Sequence, residues 1–151
     1  MISFAIEEFD LFYAEAKSLI YADWDNLADY KDVAPLCVNV PVYQAAQSKG
    51  LLKVFTLRDA SHLVGYMSFF LGTNLHYSST KWATSDAMWV DPSARRPRVS
   101  VRFLDFIEKS LFDSGVVIVN IGCKVRWPSL ARLLESRGYD RIEVTLSKRL
   151  R

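Results

Sequence analysis

A chain of 151 residues, half of them hydrophobic, can bury one core and is too short for two comfortable domains. Its 19 basic and 17 acidic side chains leave a formal charge of +2, which excludes a strong overall field for nucleic acid or an acidic membrane and makes any anion site local. No apolar run approaches the roughly 20 residues that span a bilayer, and the acidic start (Glu7, Glu8, Asp10) does not read as a signal peptide, so a soluble cytoplasmic protein is expected. Cys37 and Cys123 lie far apart and outside metal-ligand spacing, which predicts reduced, buried thiols and no metal site.

The first segment, Phe9 to Tyr21, places Phe9, Phe12, Tyr13, Ala16, Leu19 and Ile20 three and four apart, a helical stripe. An acidic, aromatic stretch follows (Asp23, Trp24, Asp25, Asp29, Tyr30, Asp32), either a second short helix or an ordered loop. After Pro35 and Pro41, Val42 to Ser48 reads as a short helix closed by Gly50. Leu51 to Leu57 and Leu63 to Leu71 are rich in β-formers and predict two antiparallel strands joined by the polar break Arg58 to His62. A polar linker, Thr73 to Lys81, leads to a third strand, Trp82 to Val90, stopped by Asp91-Pro92.

Val99 to Phe112 is strongly amphipathic, with Phe103, Leu104, Phe106, Ile107 and Leu111 opposite Arg102, Asp105, Glu108 and Lys109; the spacing of Asp105 and Lys109 suits an ion pair. Val116 to Ile121 has the β-branched character of a central strand covered on both faces. A last helix is expected over Pro128 to Arg137 with Gly138 as its stop, then a closing strand, Tyr139 to Leu146. The strand-helix-strand unit from Trp82 to Ile121 implies parallel strands, and ligands in such sheets bind beyond the strands' carboxyl ends. That directs attention to the loop after Val90.

This loop, Asp91-Pro92-Ser93-Ala94-Arg95-Arg96-Pro97-Arg98-Val99-Ser100, gathers Arg95, Arg96, Arg98 and nearby Arg102 at a helix amino end. Cations there oppose the helix dipole and call for an anion beside them, and free backbone N–H groups would add to the attraction. A solvated basic turn is the alternative.

Here the chain resembles the GNAT superfamily of N-acetyltransferases, whose Q/R-x-x-G-x-G/A pyrophosphate loop follows a strand ending in V-x-P. Val90-Asp91-Pro92 stands at the strand end, Arg95 at the opening Q/R, Phe103-Leu104 on the sheet-facing side of the helix, and Leu133 to Tyr139 is similar to the family's L-Y-x-x-x-G-F segment. The resemblance covers Leu51 to Arg151, roughly two thirds of the chain. It implies an α/β sandwich with a mixed central sheet flanked by helices: one domain, with variable helices over residues 1–50 and an acetyl-CoA-binding core over 51–151. Short proteins of this kind are common in bacteriophage genomes, which makes a phage source the expectation.

What the resemblance implies for chemistry is acetyl transfer from acetyl-CoA to an amine on a small molecule or protein. Acetyl-CoA would lie along Met88, Trp89, Val90, Arg95, Arg96, Arg98, Val99 and Ser100. Arg98 and Ser100 replace the loop's two glycines, which let amides approach a pyrophosphate. Arg98 could clamp a phosphate or close the groove. Leu134 stands where a tyrosine often serves as general acid, and Tyr139 is expected to be a core anchor.

The family's general base often lies on the strand before the loop, and Asp86 is the carboxylate there. Plain alternation puts it on one face with Thr84, Met88 and Val90, opposite Ala83, Ser85, Ala87 and Trp89. It is either a base toward an ammonium or a hydrogen-bonded structural group. His76 and Tyr77 are expected to border the same cleft. The alternative function is a non-catalytic phage structural or host-interaction protein that presents Trp24, Asp25, Asp29 and Tyr30 to a protein partner.

Overall fold

A computed structural model describes residues 1–150 as a five-stranded sheet with helices on both faces. In chain order the elements are β1 (Ile2–Glu7), α1 (Phe9–Leu27), α2 (Val40–Ser48), β2 (Leu52–Asp59), β3 (His62–Asn74), β4 (Tyr77–Val90), α3 (Pro97–Asp113), β5 (Ile118–Asn120) and α4 (Pro128–Ser136), with a 3-10 turn at Pro92–Ala94. The strands lie side by side in the order β1 to β5. The first four are antiparallel and β5 runs parallel to β4, with α3 as the crossover that parallel pairing requires.

Alternation along β2 and β3 sends side chains into two cores. Phe55, Leu57, Met67, Phe69 and Leu71 meet Phe103, Ile107 and Leu111 of α3, while Leu52, Val54 and Tyr66 meet Phe9, Phe12 and Ala16 of α1. The helical stripe read from Phe9 is therefore real, and so is the apolar side of α3, where Phe103 and Leu104 are both buried. The β2–β3 connection narrows to Ala60 and Ser61, both at positive φ (46° and 78°), the two-residue hairpin geometry whose twist matches the strands.

Several expectations are corrected. The first fifty residues hold a strand as well as helices: β1 pairs with β2 from Ile2↔Asp59 to Glu7↔Val54. It escapes sequence reading because Glu7 is drawn inward by a charge partner. The acidic stretch from Asp23 is the end of α1 followed by a turn. The 73–81 linker is mostly strand, since β3 and β4 extend to a tight turn at Leu75-His76. β5 is an edge strand of three residues and not a central one, with Val117 just before it exposed.

The closing strand Tyr139 to Leu146 does not form. Ile142, Val144 and Leu146 are exposed, and side-chain contacts hold the tail: Arg141 to Glu135, and Tyr30 Oη to the Ser147 carbonyl at 3.3 Å. Lys109 pairs with Asp113 at 2.6 Å, leaving Asp105 for Arg137 of the α4 cap at 2.7 Å. Cys37 is exposed and Cys123 half-buried.

One irregularity redirects β4. Between Met67↔Met88 and Phe69↔Ser85, β3 advances two residues while β4 advances three, a bulge at Asp86-Ala87. The buried hydroxyl opposite repairs the ladder: Ala87 N–H donates to Ser68 Oγ at 3.2 Å, and Ser68 Oγ lies 3.2 Å from Asp86 Oδ2. Ser68→Ala strands that N–H in the sheet and is expected to lower stability by about 1–3 kcal/mol, measured by urea unfolding.

A second polar node locks β1 to the rest. Arg58 of β2 grips Glu7 of β1 with two nitrogens (2.6 and 2.9 Å) and reaches Glu15 of α1 at 2.9 Å, while Thr56 Oγ1 donates to Glu7 at 2.6 Å. The Arg58 hydrogen bond holds the Glu7 carboxyl below its ordinary 4.5, outweighing desolvation. A depressed folded pKa means that ionised Glu7 stabilises the fold fully above pH 4.5 and that this contribution is lost as pH falls through the lower folded value. Glu7→Gln is expected to be less stable than the parent at pH 7 and to lose less on acidification, read from thermal melts between pH 7 and 3.

Candidate active site

Beyond Thr84, which pairs with Asn120, β4 has no β5 neighbour, yet it stays paired with β3 to Val90. The two parallel strands part company there. A side chain takes over from the ladder: Gly122 N–H donates to Ser85 Oγ at 2.9 Å as the chain leaves β5. The result is a wedge at the carboxyl ends of β4 and β5, the position at which α/β sheets bind ligands.

The turn that follows uses up its own amides. Asp91 Oδ1 accepts from Ser93 N–H and Ser93 Oγ, which hold its carboxyl below the usual range, and its carbonyl accepts from Ala94 N–H. Arg95 N–H goes to Pro92 O, Arg96 N–H to Ala94 O, and both Val99 and Ser100 N–H to Arg96 O. Pro97 has none. Among the amides from Ser93 to Ser100, only that of Arg98 is left without a partner. The open donors at this helix start are therefore guanidinium groups and not the row of amides that a glycine-rich loop presents.

Of these, Arg95 donates from Nε to Val90 O at 2.8 Å, which folds it back over the strand end. Arg96 and Arg98 are exposed, and neither side chain makes a hydrogen bond or ion pair with the described residues. Arg102 is spent on the ring of Phe4 at 5.5 Å. Val99 packs on the α3 core with Met88 and Val90. Trp89 is on the opposite face.

The bulge explains that separation. It returns Asp86 to the α1/α2 face with Thr84 and Trp89, away from Met88 and Val90, so the alternation expected for β4 fails at this point. The exposed Asp86 carboxylate accepts from Tyr43 Oη of α2 at 2.7 Å, beside Ser68. Burial first, and the Asp86 hydrogen bond second, push the Tyr43 phenol well above its ordinary range and keep it a donor.

Two more residues of this face were not assigned to it from the sequence. Tyr66 of β3, 4% exposed, lies between Phe12 (4.9 Å between ring centroids) and Trp89 (6.3 Å), and burial followed by the charges of Asp23 and Asp86 raises its phenol. Asp23 continues the stripe Phe9, Phe12, Ala16, Leu19/Ile20 onto the sheet side of α1, and burial raises its carboxyl against the opposing charge of Arg95. The signal was available, since that stripe runs two residues past Tyr21.

Other expectations do not reach the wedge. His76 and Tyr77 sit at the far tip of the β3–β4 hairpin, roughly 30 Å along β4 from Asp86 at the usual rise per residue. Leu134 is buried. Tyr139 is half-buried and its hydroxyl donates to Glu108 of α3 at 3.1 Å, beside Arg137, so it clamps α4 to α3 and is more than an apolar anchor. Burial pushes the Cys123 thiol up, keeping it protonated. A separate cavity of about 340 Å³ lies along the carboxyl-terminal half of α3, lined by Lys53, Phe106, Lys109, Ser110, Asp113 and Ser114; Lys53 bonds the Ser114 hydroxyl there, and Lys81 Nζ meets the Ser114 carbonyl at 2.9 Å, a cation at a helix carboxyl end.

Among the described residues no helix is long and apolar enough to cross a membrane, and no metal-binding cluster is present. No family model and no curated protein matches the sequence. Solved structures do match over nearly the whole length. A transcriptional regulator from Bacillus halodurans C-125 superposes with a TM-score of 0.75 at 13% identity, covering 99% of this chain and 100% of that one. A ribosomal-protein-alanine N-acetyltransferase from Brucella melitensis biovar Abortus 2308 gives 0.71 at 12%, covering 99% of each. A predicted acetyltransferase with acetyl-CoA from Clostridium acetobutylicum gives 0.69 at 8%, covering 99% and 97%. At these identities the likeness lies in the fold, and with the mixed sheet, the parted β4 and β5 and the arginine turn before α3, the chain has the fold of the GNAT superfamily of N-acetyltransferases.

Proposed function

We propose that the protein is an acetyl-CoA-dependent N-acetyltransferase. The observation that carries this reading is the end of β4–β5 pairing at Thr84↔Asn120, with β4 running on alone to a turn whose exposed Arg96 and Arg98 make no hydrogen bond or ion pair. The acetyl-CoA neighbour supports it at the level of the fold. The thioester enters the wedge between the strand ends near Val90 and Asn120, and the phosphates lie along the segment Met88 to Ser100, held by Arg95, Arg96 and Arg98. The acceptor comes from the α1/α2 face, where Asp86 faces outward.

The chemistry is a direct transfer. An ammonium loses its proton to Asp86, directly or through a water, and the freed nitrogen lone pair attacks the thioester carbonyl carbon. The new C–N bond forms, the C–S bond breaks, and the thiolate leaves with the sulfur electron pair, to be protonated from solvent. Positioning and polarisation of the carbonyl supply most of the effect. Cys123 takes no part.

One observation favours a second reading, a non-catalytic protein of this fold with a protein assembly partner: the amides from Ser93 to Ser100 are nearly all occupied internally. Calorimetric titration with acetyl-CoA decides between the two. Binding is expected, and silence at millimolar concentration overturns the enzyme reading in favour of the second. Arg96→Ala with Arg98→Ala should weaken binding roughly tenfold or more and flatten its salt dependence, as loss of charge-assisted contacts requires. With an acceptor amine in hand, Asp86→Asn is expected to depress kcat most below that amine's own pKa, where a proton must be removed, and least above it. A uniform loss at every pH, together with a lower melting temperature, would make Asp86 structural.

A further inference from the structure

The cavity along α3 holds a lysine that no carboxylate neutralises. Lys53 stands opposite Phe69 on β2, so its stem rises on the α3 side of the sheet, and its half-buried ammonium ends against Ser114 Oγ with Ser110 Oγ at 3.5 Å. Both contacts are neutral hydroxyls. A second ammonium reaches the same helix end from β4, where Lys81 Nζ meets the Ser114 carbonyl at 2.9 Å. The acid of the cavity, Asp113, is taken by Lys109 at 2.6 Å. Three cations, Lys53, Lys81 and Lys109, therefore oppose one carboxylate around a space of about 340 Å³. Lys53 bears the cost of that imbalance. Burial first and the charge of Lys81 second hold its ammonium below the ordinary 10.5, while Asp113 acts the other way. Desolvation and a neighbouring cation are the two means by which a lysine amine is made a nucleophile.

We propose that Lys53 is an acylation site, modified on Nζ by a small anionic acyl donor of the acyl phosphate class that enters this cavity. The excess of positive charge draws the phosphate. The Nζ lone pair attacks the carbonyl carbon of the donor, the new C–N bond forms, and the bond from that carbon to the phosphate oxygen breaks. Phosphate leaves with the electron pair, and the surplus proton of the amine passes to it or to water. The Ser110 hydroxyl, which donates to no other group among the described residues, stands beside the amine to receive the carbonyl oxygen. The product is an amide, which leaves two cations against Asp113. No acetyl-CoA is needed, so the site is independent of the acetyltransferase reading.

The test treats the folded protein with acetyl phosphate near neutral pH and follows the initial rate at each lysine by peptide mass spectrometry. Lys53 is expected to react roughly three- to tenfold faster than Lys17 and Lys49, because each unit of lowered proton affinity multiplies the neutral fraction about tenfold, and part of that gain is lost as lower intrinsic reactivity. Lys17 and Lys49 are exposed and make no polar side-chain contact among the described residues, which suits them as internal standards. Lys81→Met should slow Lys53 and Asp113→Asn should hasten it, opposite signs that a general loosening of the fold would not give. N-acetylimidazole, a neutral donor, should favour Lys53 less than acetyl phosphate does. A Lys53 that reacts no faster than the two standards, or that responds alike to both substitutions, overturns the proposal. An excess equally large with N-acetylimidazole overturns the acyl phosphate assignment.

Discussion

Strand β4 carries one residue too many between Ser85 and Met88, and the buried hydroxyl of Ser68 is what makes that surplus tolerable. Much of the site follows from it. The bulge reverses the faces of β4 partway along, so that Ala83 and Ser85 before it share the α3 side with Met88 and Val90 after it, while Asp86 and Trp89 both turn toward α1 and α2. It lies just beyond the last pair of β4 with β5, Thr84↔Asn120.

The second shaping force is charge at the start of α3. A loop with glycines lends its backbone to an anion, whereas this one folds its backbone onto itself through Asp91, Pro92, Ala94 and Arg96 and leaves its side chains outward. The two designs differ in more than strength. Amides fixed in a turn fit one anion geometry, while guanidinium groups on flexible stems trade that geometric fit for reach and for sensitivity to salt. The dipole of α3 asks for the same partner in either case.

The main architecture was legible in the sequence where periodicity was strong. The stripe of α1, the apolar side of α3, the two antiparallel strands around Ala60-Ser61 and the strand-helix-strand unit all rest on patterns of period 3.6 or 2. Failures cluster where a pattern was broken or a context was needed. β1 was hidden because Glu7 belongs to an ion-pair node formed with Arg58, fifty-one residues away. Asp86 was grouped with Met88 and Val90 because no composition signal marks a bulge whose partner is a serine on the neighbouring strand. Tyr43 and Tyr66 reach Asp86 only through the tertiary packing of α2 and β3, and Asp23 was missed by stopping the α1 stripe at Tyr21. Arg95, Arg96 and Arg98 were recognisable as a cluster, but the occupation of their neighbouring amides was not.

The tail after α4 alternates apolar residues at Ile142, Val144 and Leu146 in the rhythm of a strand, yet it lies outside a sheet whose last member, β5, is only three residues long. A longer edge strand would recruit it, and would equally recruit the tail of another molecule. What stands in the way is the charge around those apolar side chains, Arg141 before them, Glu143 among them and Lys148 and Arg149 after them, and the shortness of β5 itself. Such charges are the gatekeepers that limit edge-to-edge aggregation, here placed in a segment that contributes nothing to the core.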